Sequence, residues 1–112
     1  MTVETERTPV REWTKTEMES LASQTDKPAA VFVYTPLCGT CKLAERMLTV
    51  VQEALPGLTL YRANLNLLPE LAEMWRVTSV PALLILERGA VAERHYALRS
   101  VDFLYHVLKR FA

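Results

Sequence analysis

The stretch Val31-Phe32-Val33-Tyr34-Thr35-Pro36-Leu37-Cys38-Gly39-Thr40-Cys41-Lys42 runs from β-forming residues through a proline to two closely spaced cysteines. Ala29 to Thr35 is nearly all apolar and does not alternate, which predicts a central strand covered on both faces. Pro36 stops it. From Gly39 the period changes. Leu43, Ala44, Met47, Leu48, Val51 and Leu55 recur at helical spacing, with Lys42, Glu45, Arg46 and Gln52 facing elsewhere, until Pro56-Gly57 ends the helix. Cys38 thus falls at a strand-to-helix junction.

Upstream, Met1 to Pro9 reads as a flexible segment and Val10 to Trp13 as a short edge strand. Thr16 and Glu19 make a capping-box pattern for a first helix to about Gln24. Downstream, Leu58 to Asn64 alternates as a strand, and Pro69 suits the first turn of a short helix to about Arg76 with Leu71, Met74 and Trp75 inward. Ala82 to Leu86 is a second buried strand. Glu87 to Ala90 is a turn in which Gly89 can take positive φ. Ala90 to Tyr96 returns antiparallel, and Ser100 caps a last helix with Val101, Leu104, Leu108 and Phe111 on its buried stripe. Trp13, Tyr34, Tyr61, Tyr96 and Tyr105 read as packing or boundary residues. The order (β)αβαβαββα implies an α/β fold: a mixed sheet, helices on both faces and a right-handed parallel crossover.

The chain has 112 residues, room for one core and hence one domain over residues 10–112. Its 13 basic and 13 acidic residues balance, so nothing points to nucleic acid or a charged membrane surface. The longest apolar run, Val80 to Leu86, is far short of the roughly 20 residues that span a bilayer. The N-terminus lacks the basic-then-apolar pattern of a secretory signal, so a cytoplasmic protein is expected unless a leader has been removed.

Only two cysteines are present, too few and too close for a disulfide scaffold. At a helix start, unpartnered amide N–H groups carry partial positive charge. A Cys38 thiolate is stabilised there, drawing its thiol from about 8.5 toward neutrality. Cys41, one turn on, can close a small ring and resolve a mixed disulfide. Gly39 and Thr40 have little bulk and leave the Cys38 sulfur approachable, and Lys42 adds a cation. Two readings compete with this redox one. A lone pair is half a zinc site, but no second pair is present and His95 and His106 lack ligand spacing. The cysteines could also be inert packing.

With these elements in place, the chain resembles the thioredoxin family. The resemblance rests on Val31 to Lys42, on Val77-Thr78-Ser79-Val80-Pro81-Ala82-Leu83-Leu84-Ile85-Leu86, and on the Arg88 to Val91 turn followed by a C-terminal helix. It runs from about Val10 to the end and implies a thioredoxin fold. It also implies a cis Pro81 beside the cysteines and a Val80 backbone that offers N–H and C=O to an extended substrate, as in strand addition.

The departures matter. Leu37 stands where the family usually has tryptophan, Thr40 where it has proline, and Ala97 where a substrate-facing loop has glycine. Phe32 replaces a buried aspartate that assists proton transfer for the resolving cysteine, and Arg62 replaces its neighbouring lysine. Phe32 cannot move a proton, and arginine stays charged. Slower turnover than a general thioredoxin is expected, with Phe32→Asp as the test. Loss of the proline should shift the potential toward a less strongly reducing protein.

The resulting expectation is a monomeric thiol–disulfide oxidoreductase without cofactor or metal. Cys38 is its nucleophile and Cys41 its resolving thiol, with Leu37, Gly39, Thr40, Val80, Pro81 and Ala97 around the substrate. Its partners are protein disulfides and a reductase or low-molecular-weight thiol. The rival expectations are a binding module using the same groove, or a sensor whose interactions follow the Cys38–Cys41 oxidation state.

Overall fold

A computed structural model of the protein describes Arg11, Glu12, Thr14, Thr16 and residues 28–111. Its strands are β1 (Arg11–Glu12), β2 (Ala29–Tyr34), β3 (Leu60–Asn64), β4 (Ala82–Glu87) and β5 (Ala90–His95). Its helices are α1 (Gly39–Ala54), α2 (Glu70–Met74) and α3 (Val101–Leu108), the last running into a 3-10 turn at Lys109–Phe111. The strands form one sheet in the order β1-β3-β2-β4-β5. β1 and β2 both pair parallel with β3, while β4 pairs antiparallel with β2 and β5. The expected segment Met1 to Pro9, Trp13, and the first helix beyond Thr16 lie outside the described residues.

Every residue of β2 is buried, because both of its faces are covered. Ala30, Phe32 and Tyr34 pack with Leu48 and Val51 of α1 and Leu104 and Leu108 of α3. Val31 and Val33 pack on the opposite face with Leu71 and Trp75. The continuous apolar run is therefore the sequence mark of a strand with two cores beside it.

In α1 the buried positions are Cys41, Ala44, Leu48, Val51 and Gln52. Two expectations are corrected. Leu43 is 56% exposed, because two residues from Cys41 is more than half a turn around the helix. Gln52 faces inward, four residues after Leu48. Its amide donates to the carbonyls of Leu55, the helix C-cap, and of Leu58 in the loop beyond, at 3.1 Å each.

β3 begins at Leu60 rather than Leu58, although Leu58 is buried. Pro69 is the N-cap of α2 instead of lying in its first turn. Leu71 and Trp75, four apart, take the inner face, and Met74 is turned outward at 46% exposure. Trp75 Nε1 donates to the Gly89 carbonyl at 3.3 Å, and Arg94 Nε donates to the Trp75 carbonyl at 3.0 Å. The β4–β5 turn has positive φ at both Arg88 (56°) and Gly89 (78°), the pattern of the tightest hairpins. In α3, Ser100 Oγ accepts from the Phe103 N–H at 3.1 Å. Val107 joins the buried stripe, and Tyr105, expected at the core or its boundary, is exposed.

The edge strand β5 is clasped to the chain's last turn. Glu93 bonds His95 Nε2 at 2.8 Å and accepts from Arg110 Nη2 at 2.7 and 3.0 Å. The His95 bond, then Arg110, hold the Glu93 carboxyl below its ordinary value of 4.5. A lowered carboxyl stabilises the fold above the ordinary carboxylate range, and that stability is lost as pH falls through the folded value. Glu93→Gln is therefore expected to lower the urea midpoint at pH 7, with the gap to wild type closing toward pH 3. A gap independent of pH would refute the clasp.

Candidate active site

The site forms where β2 ends and α1 begins. Pro36 interrupts the strand, and the Cys38 N–H donates to the Thr35 carbonyl at 3.2 Å, turning the chain. Cys38 then occupies the N-cap of α1 in extended conformation (φ −85°, ψ 112°). Its sulfur accepts from the Cys41 N–H at 3.0 Å. One of the helix's unpartnered donors therefore points at this sulfur, as the strand-to-helix reading requires.

Cys38 and Cys41 are joined as a disulfide, with Cα atoms 5.2 Å apart. The two ends of the bond differ. Cys38 is partly buried with its surface still open to solvent, while Cys41 is 2% exposed and belongs to the core beneath α1. Only Cys38 can meet an incoming macromolecule.

Leu37, Gly39 and Thr40 flank Cys38 at this turn. Leu37 is 96% exposed, the most open large apolar side chain among the described residues. Gly39 and Thr40 are exposed, and a Cβ at Gly39 would meet nothing within 4 Å. The Thr40 hydroxyl lies 3.4 Å from Cys38 Sγ. The Val80–Pro81 bond is cis. Val80 and Cys38 are both half-buried against the cluster that contains Cys41 and Leu98. Ala97, beside Leu98, is exposed.

The loop leading to Pro81 is held by Tyr96, a role its sequence position does not suggest. The Tyr96 hydroxyl accepts from the Thr78 N–H at 3.2 Å and donates to the Arg76 carbonyl at 3.3 Å. Arg76 itself sits in the left-handed region (φ 55°). Tyr96→Phe should cost roughly 1 kcal/mol in urea unfolding and speed hydrogen exchange at the Thr78 amide. An unchanged exchange rate would show that the hydroxyl does not hold the loop.

Behind Cys41, Phe32 is fully buried and stacks on Tyr34, ring centroids 5.9 Å apart. Arg62, opposite Phe32 in the β2–β3 register, lays its guanidinium 4.5 Å from the Tyr34 ring centre. It also pairs with Glu45 of α1 at 2.8 Å. In the sequence Glu45 reads only as a residue facing away from the core stripe. Its spacing, four residues after Cys41, is the available signal.

A sequence model of the thioredoxin family matches residues 9–110. The chain belongs to the thioredoxin family. It is 45% identical over 80 residues to the thioredoxin-like protein YusE of Bacillus subtilis, covering 71% of this chain and 76% of that one. It is 29% identical over 73 residues to the thioredoxin of Chlamydia trachomatis, covering 65% and 72%. Among solved structures, a single-site mutant thioredoxin from Halobacterium salinarum superposes with a TM-score of 0.76 at 20% identity, over 91% of this chain and 89% of that one. Oxidised mitochondrial thioredoxin 3 from Saccharomyces cerevisiae gives 0.76 at 23% identity, over 94% and 98%. These last two likenesses are of fold. A family member with this cysteine pair, able to close as a disulfide, is a thiol–disulfide oxidoreductase.

Proposed function

We propose that the protein reduces, or exchanges, disulfides of protein substrates, with Cys38 as nucleophile and Cys41 as resolving thiol. The observation that carries these roles is the asymmetry of the pair: Cys38 only partly buried at the helix N-cap, Cys41 buried one turn below. The Cys38 thiolate attacks one substrate sulfur, and the other leaves as a thiolate that takes up a proton. Cys41 then loses its proton and attacks Cys38 Sγ. The mixed disulfide breaks, the second substrate thiol departs, and the Cys38–Cys41 disulfide remains. A reductase or low-molecular-weight thiol returns the two electrons; no metal or cofactor takes part.

Leu37, Gly39, Thr40, Val80, Pro81 and Ala97 form the contact surface, with the Val80 backbone pairing with an extended substrate segment. The protein works as a monomer in the cytoplasm, with residues 10–112 as its one domain. The balance of charges supports a role away from nucleic acid. Among the described residues no helix is long and apolar enough to cross a membrane.

Insulin reduction with dithiothreitol as donor tests the reading: turnover above the donor alone is expected. The fully buried Phe32 favours one alternative, a binding module with little turnover. Absence of turnover, with partner binding that survives replacement of both cysteines by serine, would establish it. Binding that follows oxidation state would indicate a sensor.

A further inference from the structure

We infer that the Glu45–Arg62 ion pair is a positioning unit that sets how readily Cys41 gives up its proton, an inference that rests on Cys41 as the resolving thiol. Before Cys41 can attack, its S–H bond must break and the proton pass to water or buffer. The sulfur then forms a bond to Cys38 Sγ as the substrate thiolate leaves with the electron pair. Cys41 is 2% exposed and belongs to the same buried cluster as Phe32, Tyr34, Ala44 and Leu83. A developing thiolate there has little water around it, so charges at the margin of the cluster act through a weakly screening medium.

Two opposite charges stand at that margin. Glu45 follows Cys41 by four residues on α1, where Cβ atoms lie about 5–6 Å apart. Its carboxylate meets Arg62 Nη1 at 2.8 Å, and both side chains are less than one-third exposed. The Arg62 guanidinium rests on the ring of Tyr34, itself a member of the Cys41 cluster. Among the described residues, the other charged groups at this end of the sheet are Lys42 and Arg46 on α1, Arg99 after Leu98, Asp102 on α3, and Glu12, which lies opposite Arg62 in the β1–β3 register. Lys42, Arg46, Arg99 and Asp102 are exposed and act through solvent. The packed face of β4 contributes Leu83 and Ile85, which carry no charge. Glu45 and Arg62 are thus the half-buried charges of α1 and β3, and their fields at Cys41 oppose each other.

Arg62 favours the thiolate and Glu45 disfavours it. Removing Glu45 takes away a charge that disfavours the thiolate and removing Arg62 takes away one that favours it, so the two single substitutions should move Cys41 in opposite directions. Merely loosening the packing would move it the same way in both. The experiment uses Cys38→Ser protein labelled with 13C at the cysteine Cβ, which leaves a single cysteine resonance to follow through pH. Glu45→Gln is expected to lower its titration midpoint and Arg62→Gln to raise it, each by roughly half a pH unit or more. The double variant should return close to the parent. Shifts of the same sign, or none, would overturn the inference. Because no turnover is involved, that failure is separate from a failure of the insulin assay.

Discussion

Cys38→Ser is expected to reduce insulin reduction to the rate of the thiol donor alone, while Cys41→Ser stalls after the first step and accumulates a mixed disulfide with its substrate. The two variants differ because the two sulfurs do. The Cys38 sulfur is reachable and accepts the Cys41 N–H at the start of α1. A serine there keeps the cap but not the nucleophile, since an alcohol is barely ionised at neutral pH. In Cys41→Ser the nucleophile survives and the half that completes the exchange is lost, so substrate stays attached through Cys38. Mass spectrometry under non-reducing conditions reads this directly. Residual turnover in Cys38→Ser would reassign the nucleophile. Release of substrate from Cys41→Ser at the wild-type rate would show that an external thiol resolves the intermediate.

Phe32→Asp is expected to cost most of the protein's stability. Phe32 has no exposed surface and sits in the middle of β2, stacked on Tyr34. Emptying such a site costs about 3–5 kcal/mol, and a carboxylate left in an apolar cluster adds several more. Small domains have about 5–15 kcal/mol in total. The structure therefore changes what this substitution can test. As a probe of proton transfer its rate would be read on a largely unfolded sample. Far-ultraviolet circular dichroism and urea unfolding should show the loss, while Phe32→Leu should cost roughly 1 kcal/mol and keep its insulin activity. A folded Phe32→Asp with a near-wild-type midpoint would mean that the core around Cys41 admits water.

The absence of a carboxylate at position 32 was legible from the residues alone. What stands beside Cys41 in its stead was not. Glu45 and Arg62 are 17 positions apart and meet only because β3 lies beside β2 with Arg62 opposite Phe32. Gln52 shows the same limit at the other end of α1. A polar side chain on the core stripe reads as an exception until the Leu55 and Leu58 carbonyls it serves are in place. Leu43 and Met74 err the opposite way: both are apolar and both are exposed, Leu43 on the side of α1 away from its buried stripe and Met74 beside the inner face that Leu71 and Trp75 take.

Periodicity, proline placement and the cysteine spacing determined the α/β order, the two-sided burial of β2 and the position of Cys38 at a helix start. Each of these is a local property, carried by residues within a few positions of one another. Tertiary structure alone decided the unequal exposure of the two sulfurs, the Tyr96 hydroxyl that holds the loop before Pro81, and the Glu45–Arg62 pair behind Cys41. Those depend on which distant segments the sheet brings side by side, and a side chain's exposure and charge partners exist only once that neighbour has arrived.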